Sequence, residues 1–125
     1  VEIINPISRS ELIKSYKNAD ILFLHLNDFE VFKKVIPSKI FEYAATKKPI
    51  VAGVSGYSED FIKNEIKNAF TFMPCSHENA INVLKKVKYV TTNRSEFIEK
   101  YSRKKIMNSM SEDIISLVKN DARKS

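Results

Sequence analysis

The sequence contains few residues that form cross-links or sharp turns, and it has no long apolar run. Its 125 residues include one cysteine, two glycines, four prolines and no tryptophan. The single cysteine, Cys75, excludes a disulfide within this sequence and suits a reducing compartment. No apolar run approaches the roughly 20 residues that cross a bilayer. We therefore expect a cytoplasmic protein, with attachment to the inner face of a membrane as the alternative.

The charge balance is basic but does not indicate a nucleic-acid-binding surface. The net charge is +6, with 21 Lys and Arg against 15 Asp and Glu. Aromatic residues do not interleave with the basic ones, as stacking of bases along a basic groove would require. We predict no nucleic-acid partner, no metal ion and no cofactor, and we attribute most of the charge to solvated helix faces. Attraction to an acidic membrane surface or to an anionic ligand is the alternative.

Short apolar segments alternate with amphipathic segments along the first 90 residues. The predicted strands are residues 1–4, 21–24, 50–54 and 69–74. Hydroxyl side chains commonly cap helix N-termini, and the predicted helices start near Ser8 or Ser10, Pro37 or Ser38, Ser58 and Ser76. This alternation predicts an α/β fold, a Rossmann-like parallel sheet of about four strands with right-handed crossovers and flanking helices.

The last third of the sequence predicts helices only. They cover residues 95–100 and 102–119, and the second is amphipathic. We expect both helices to pack across the sheet and residues 121–125 to form a frayed tail. By its length the chain is predicted to be one domain, residues 1–125, with an α/β core at 1–90 and the terminal helices at 91–120.

The stretch at residues 36–53 carries the strongest indication of a ligand site. A helix that starts at Pro37 would place Ser38, Lys39 and Glu42 on one arc of its surface. A hydroxyl, an ammonium and a carboxylate would then lie beside a helix N-terminus, where free N–H groups and the dipole favour an anion such as phosphate. An ordinary solvated helix start is the alternative. The opposite, apolar arc consists of Ile40, Phe41, Ala44 and Ala45.

The two glycines, Gly53 and Gly56, flank the C-terminal end of the predicted strand at residues 50–54. In open α/β sheets ligands bind beyond the carboxyl ends of the strands, and glycine lets the backbone approach a ligand or adopt positive φ. A plain turn is the alternative. His25 ends another predicted strand, and we interpret it as structural because no group that would orient a general base is evident.

Residues 37–52 read Pro-Ser-Lys-Ile-Phe-Glu-Tyr-Ala-Ala-Thr-Lys-Lys-Pro-Ile-Val-Ala. This run resembles the nucleotide-sugar-binding segment of family 4 glycosyltransferases, in the C-terminal half of a GT-B fold. The subgroup that builds bacterial capsule and lipopolysaccharide chains has the pattern Pro-Ser-Lys-Leu-Phe-Glu-Tyr-x-Ala-x-Gly-Lys-Pro-Ile. Residues 16–21 are similar to the family's Tyr-x-x-Ala-Asp-Val, and the resemblance covers about residues 1–88.

The resemblance implies a donor-binding role for five residues. Glu42 would accept hydrogen bonds from the ribose hydroxyls of the donor nucleotide, as an acceptor-only carboxylate can. The helix start at Pro37, Ser38 and Lys39 would face the diphosphate and stabilise the charge of the leaving group. Gly56 would lie near the sugar–phosphate pocket in a lesser role. UDP as the nucleotide and retention of anomeric configuration also follow from the resemblance, which leaves the catalytic residues unknown.

Some positions depart from the family pattern. The second glutamate that many members carry eight positions before Glu42 is Lys34 here, and Lys47 stands where the pattern has glycine. In the family an acceptor-binding domain and a phosphate-binding Arg or Lys pair precede this segment. We therefore expect the chain to be a C-terminal fragment that does not transfer sugar alone.

The predicted function is the donor-binding part of a hexosyltransferase that adds sugar to a growing surface polysaccharide or glycolipid. Its partners would be a nucleotide-sugar donor and the N-terminal acceptor domain. Two alternatives stay open. One is a non-catalytic nucleotide- or anion-binding α/β module, and the other is an interaction domain whose terminal helices dock on a partner.

Overall fold

The computed structural model describes residues 1–122 of the chain. The chain divides into two compact units, residues 1–94 and the segment that begins at Ser95. Each unit is described by itself. The prediction of one domain over residues 1–125 stays a prediction.

The first unit alternates helices and strands, which confirms the α/β class. Its helices are α1 (Arg9–Asn18), α2 (Ser38–Ala45), α3 (Tyr57–Glu65) and α4 (His77–Leu84), with a 3-10 helix at Glu30–Lys34. Its strands are β1 (Leu22–His25), β2 (Ile50–Gly53) and β3 (Ala69–Phe72).

The described strands form one parallel sheet in the order β1-β2-β3. Leu22 pairs with Ile50, and Ile50 pairs with Ala69, so the carboxyl ends of all three strands lie along one edge of the sheet. Every residue of the central strand β2 is buried. A short, continuously apolar strand is typical of a parallel sheet that is covered on both faces.

The predicted strand at residues 1–4 is wrong, and the described sheet has three strands rather than about four. These residues adopt no regular structure, and Val1, Ile3 and Ile4 are exposed. A strand is stable only when a neighbouring strand pairs with its backbone N–H and C=O groups. No strand in residues 1–122 pairs with this segment, so its apolar β-branched composition was not sufficient to make it a strand.

The core of the first unit includes apolar side chains from the buried faces of its helices. Ile40 and Ala44 on α2 and Ile62 on α3 are completely buried. The predicted apolar arc of α2 is confirmed for Ile40 and Ala44, whereas Ala45 is exposed. A further buried cluster consists of Val51, Phe72 and Val87.

Serine caps start α1 and α4, as the sequence predicts. The Ser8 hydroxyl accepts a hydrogen bond from the Glu11 N–H, and the Glu11 carboxylate accepts one from the Ser8 N–H, which forms a capping box. The Ser76 hydroxyl accepts from the Asn79 N–H in the same way. These caps satisfy backbone donors that have no partner inside the helix.

The second unit consists of α5 (Ser95–Lys100) and α6 (Arg103–Ala122). Both predicted terminal helices are therefore present. Helix α6 includes residues 121 and 122 of the tail that was predicted to fray, and the rest of that tail lies outside the described residues. Within residues 1–122, no helix has both the length and the apolar character that crossing a membrane requires.

Candidate functional site

Helix α2 starts where the sequence predicts. Pro37 is its N-cap, with φ −63° and ψ 135°, and its carbonyl oxygen accepts from the Ile40 N–H at 3.0 Å. The complete burial of Ala44 shows that this side of the helix packs closely against the core. The side that carries Lys39 and Glu42 is partly open to solvent, so its polar groups are available for other contacts.

Three polar side chains, Tyr16, Lys39 and Glu42, meet between α1 and α2, and we call them the Glu42 cluster. The Lys39 ammonium donates to the Tyr16 hydroxyl at 3.0 Å. The Lys39 Nζ atom and the Tyr16 hydroxyl lie 3.5 and 3.4 Å from Glu42 Oε2. The side chains of Lys39 and Glu42 are 39% and 38% exposed, so water screens their ion pair and its contribution to stability is small.

The surroundings raise the pKa of one member of the cluster, Lys39, and of the neighbouring Tyr43. The hydrogen bond to Tyr16 is the main cause that raises the pKa of Lys39, and the Glu42 carboxylate acts in the same direction. Tyr43 packs edge to face on Tyr16, with ring centroids 5.4 Å apart, and its hydroxyl donates to the Phe23 carbonyl oxygen at 3.3 Å. Burial raises the pKa of Tyr43. At neutral pH Lys39 is therefore a cation and Tyr43 a neutral phenol.

An open pocket of about 450 Å³ lies beside the cluster. Its α1 wall is a single helical stripe, which begins at Arg9 and continues at positions three, four, seven and eight residues further on. The residues that line it combine three cationic side chains, one carboxylate, one tyrosine and a small apolar surface. They are Arg9, Leu12, Ile13, Tyr16, Lys17, Glu42, Ala45, Thr46 and Lys47.

The turn that follows α2 closes one side of this pocket. The Thr46 hydroxyl donates to the Tyr43 carbonyl oxygen at 2.7 Å and accepts from the Lys48 N–H at 3.3 Å. Lys47 has φ 65°, the left-handed conformation that glycine adopts most easily. The family 4 pattern has glycine at this position, so the backbone of this turn suits the pattern although the side chain differs.

The remaining predicted site residues do not line the pocket in the described structure. Pro37 and Ser38 lie at the opposite end of α2 from Lys47. Gly56 has φ 66° and precedes α3, and a Cβ atom at this position would overlap the Lys33 carbonyl oxygen. The structure therefore places Glu42 and Lys39 next to each other. It also explains the glycine at position 56, because the Lys33 backbone leaves no space for a side chain there.

At the carboxyl edge of the sheet, the His25 and Phe72 side chains pack beside the end of β2. His25 Nε2 accepts a hydrogen bond from the Cys75 N–H at 3.0 Å. The His25 ring lies nearly parallel to the Phe72 ring, with centroids 6.1 Å apart, and both rings would overlap a Cβ atom at Gly53. Since Nε2 is occupied as an acceptor, the geometry agrees with a structural role for His25. Gly53 allows the rings to approach the backbone.

Residues 1–122 contain no group of three or more His, Cys, Asp and Glu side chains that could hold a metal ion. No protein-family model, no curated protein and no solved structure matches the chain. The resemblance to family 4 glycosyltransferases stays a prediction that rests on the residues quoted above.

The sequence interpretation identified Glu42 but missed most of the pocket around it. The missed residues include Arg9, Lys17 and Lys47, which supply its positive charge. The spacing of the α1 residues was the available signal, because positions three and four apart along a helix share a face. That spacing predicts a stripe, but it does not predict that the stripe faces Glu42.

Proposed function

We propose that this chain is the donor-binding part of a GT-B glycosyltransferase and that it binds a nucleoside-diphosphate sugar in the pocket beside Glu42. The observation that carries the proposal is the position of the Glu42 carboxylate at the pocket wall, among three cations. The sugar would be added to a growing surface polysaccharide or glycolipid, as the resemblance implies.

The pocket has a size and a lining that suit a nucleotide. Ligand pockets commonly enclose about 300–1,000 Å³, and this one encloses about 450 Å³. Leu12, Ile13 and the Tyr16 ring offer apolar surface on which a base could lie. The positive charge that would attract a diphosphate comes from Arg9, Lys17 and Lys47. The apolar surface carries no charge, and the Glu42 carboxylate would repel a diphosphate.

The Glu42 carboxylate is held in a way that leaves it available to a ligand. Among the described residues, its contacts with Lys39 and Tyr16 are long and both involve Oε2. A carboxylate has room for about four hydrogen bonds and only accepts, so vicinal ribose hydroxyls can donate to it without displacing a strong internal partner. Lys39 and Tyr16 would orient the carboxylate, and Lys39 would offset its charge near the phosphates.

The test measures UDP binding to the whole chain by NMR titration or calorimetry, with Glu42→Ala as the main variant. Hydrogen bonds to a charged group contribute about 1.5–3 kcal/mol, so we expect the variant to bind about tenfold or more weakly. The matched control is Glu59→Gln, which alters an acidic residue paired with Lys63 on α3 and should leave the affinity unchanged.

A second ligand separates a ribose contact from a general loss of binding. The 2′,3′-dideoxy analogue of UDP lacks both hydroxyls, so it should bind the unaltered chain about as weakly as UDP binds Glu42→Ala, and the variant should not weaken it further. Equal binding of both ligands to the unaltered chain would contradict the ribose contact. The absence of UDP binding at millimolar concentration would contradict a nucleotide site and favour an interaction domain.

The interaction domain has one specific observation in its favour. Helix α6 exposes six apolar side chains on one side, and an exposed apolar patch often marks an interaction surface. They are Ile106, Met107, Met110, Ile114, Leu117 and Val118. This observation concerns the second unit and is compatible with a donor site in the first.

A further inference from the structure

A basic surface lies at the amino edge of the sheet, where the three strands start. Residues 46–49 lead into β2, and residues 66–68 lead into β3. Helix α4 follows the carboxyl end of β3, and the segment after it, residues 85–94, returns to the amino edge. Besides the buried Arg94, these three segments carry six lysines and no Asp or Glu. The lysines are Lys47, Lys48, Lys67, Lys85, Lys86 and Lys88.

Hydrogen bonds hold the three segments together. The Asn68 amide nitrogen donates to the carbonyl oxygens of Lys88 and Val90, each at 3.2 Å. The Thr92 N–H donates to the Lys47 carbonyl oxygen at 2.9 Å. Because the segment after α4 is bonded in this way to both of the turns that precede β2 and β3, the three segments and their lysines form one continuous surface.

Tyr89 lies at the tip of a tight turn on this surface. The Val90 N–H donates to the Lys88 carbonyl oxygen at 2.9 Å, which closes a three-residue turn. The carbonyl groups of Lys88 and Val90 both bond to Asn68, so the backbone is fixed on each side of Tyr89. The Tyr89 and Val90 side chains are nevertheless 66% and 56% exposed. The turn therefore exposes an aromatic and an aliphatic side chain next to a lysine.

Nearby carboxylates do not neutralise the surface. Asp20 precedes β1 at the same edge of the sheet, and Glu65 ends α3 two residues before Lys67. Six lysines against these two carboxylates leave an excess of four positive charges, out of a net charge of +6 for the whole chain. The positive charge of the first unit is therefore concentrated at the edge where Tyr89 is exposed.

The combination of charge and apolar surface favours a membrane over other anionic partners. Lysines are attracted to anionic phospholipid headgroups, and a tyrosine suits the membrane interface because its ring is apolar and its hydroxyl is polar. Nucleic acid would need several aromatic residues for its bases to stack on, and Tyr89 is the only aromatic residue of the three segments. Phosphates would also leave the exposed Val90 side chain without an apolar contact.

We propose that the amino edge of the sheet docks on an anionic phospholipid membrane, with Tyr89 and Val90 at the interface and the lysines against the headgroups. The docking is peripheral, because it uses side chains at the surface of a folded unit. It is independent of the donor site, since Lys47 is the only residue that the two surfaces share, and the experiments leave Lys47 unchanged.

The first experiment measures cosedimentation of the whole chain with vesicles. Phosphatidylcholine vesicles with about 30% phosphatidylserine should bind the chain, and vesicles of phosphatidylcholine alone should not. Each lysine near an anionic surface contributes about fivefold in affinity, so Lys86→Gln combined with Lys88→Gln should weaken binding about 25-fold. The matched control combines Lys34→Gln with Lys63→Gln, which changes the net charge equally at exposed positions outside this surface. No binding to the anionic vesicles, or equal weakening by the two double variants, would overturn the proposal.

The second experiment tests the apolar contact with the same anionic vesicles. Tyr89→Ser should weaken binding roughly fivefold or more, because the buried area of the ring is lost. The matched control is Tyr57→Ser, since Tyr57 is 64% exposed at the start of α3 and lies outside the surface. Equal effects of the two variants, or tighter binding of the unaltered chain to a DNA duplex than to the vesicles, would overturn the membrane as the partner. Circular dichroism would confirm that the variants fold like the unaltered chain.

Discussion

Helix α2 takes part in two charged clusters that differ in burial and in the strength of their hydrogen bonds. Its Ala44 carbonyl oxygen accepts from the Arg94 guanidinium at 3.3 Å, and the same guanidinium donates to the Lys67 carbonyl at 2.7 and 2.9 Å. A further bond of 3.2 Å joins it to the Asn68 carbonyl. Arg94 is 3% exposed, whereas the Glu42 side chain is 38% exposed and its two contacts are 3.4 and 3.5 Å long.

This difference separates a charge that serves the fold from one that is available to a ligand. The Arg94 guanidinium is solvated by carbonyl oxygens instead of water, and the carbonyl end of a helix favours a cation. Burial lowers the pKa of Arg94 to about 10, which still leaves it charged at neutral pH. Glu42 has weak contacts that a ligand hydroxyl can replace at little cost.

Asn68 extends the buried cluster, and we call these two side chains with their hydrogen-bond partners the Arg94 cluster. The Asn68 amide nitrogen donates to the carbonyl oxygens of Lys88 and Val90 at 3.2 Å and to the Thr92 hydroxyl at 3.1 Å. The backbone of Asn68 is left-handed, with φ 53°. These bonds attach residues 88–94, which have little regular structure, to the start of β3.

The largest effect should come from removing the Arg94 guanidinium. Arg94→Met keeps most of the apolar stem and removes every hydrogen bond that the guanidinium donates to the three carbonyl oxygens. The carbonyl oxygens of Ala44 and Asn68 keep a backbone N–H donor each. Hydrogen bonds from a charged group contribute about 1.5–3 kcal/mol each, so we expect a loss of about 3 kcal/mol or more in the free energy of unfolding, measured by urea denaturation. Arg9→Met, at an exposed position on α1, is the matched control and should change it by less than about 0.5 kcal/mol. Similar values for the two variants would contradict the comparison.

A smaller loss should follow from removing the Asn68 side chain. Asn68→Gly tolerates the left-handed backbone and deletes three hydrogen bonds, so we expect a loss of about 1–3 kcal/mol in the free energy of unfolding. Lys47→Gly is the matched control, because Lys47 is also left-handed, with φ 65°, but lies at the open pocket. That change should stay within about 1 kcal/mol. A loss at Lys47 as large as that at Asn68 would mean that the pocket side is as structurally constrained as the buried side.

The sequence predicted the parts of this comparison that depend on local pattern. The start of α2 at Pro37 and the polar arc with Lys39 and Glu42 follow from residues within one turn of each other. The strands β1, β2 and β3 follow from short, mostly apolar segments. Local pattern also misled at residues 1–4, where β-branched residues have no described strand to pair with.

Sequence alone did not reveal what depends on distant partners. Arg94 directly precedes the predicted helix at residues 95–100, and its acceptors are 26, 27 and 50 residues away along the chain. Nothing in its neighbourhood signals that carbonyl oxygens from two other segments will surround it. The pocket shows the same limit, because the α1 stripe and Glu42 are joined only by the packing of two helices.

The smallest expected change in stability comes from Tyr16→Phe, which tests the open side of the comparison. The variant keeps the ring that packs on Tyr43 and removes the hydroxyl that accepts from Lys39 and lies near Glu42. We expect less than about 1 kcal/mol of change in the free energy of unfolding, because the deleted contacts are partly exposed. The pKa of Lys39, followed by NMR, should fall towards the ordinary lysine value, since the bond to Tyr16 is the main cause that raises it.

The pH dependence of this variant has a definite sign. A lysine whose pKa is higher in the folded chain binds its proton more tightly there, so its stabilising effect is fully present below the pKa of the unfolded chain. It is lost as the pH rises through the folded-state pKa, above the ordinary lysine range. The small difference in stability between Tyr16→Phe and the unaltered chain should therefore be constant at neutral pH and shrink only in strong alkali. A difference that instead changes between pH 5 and 8 would show that Lys39 is not the group that Tyr16 stabilises, and the assignment of an orienting role in the Glu42 cluster would fail with it.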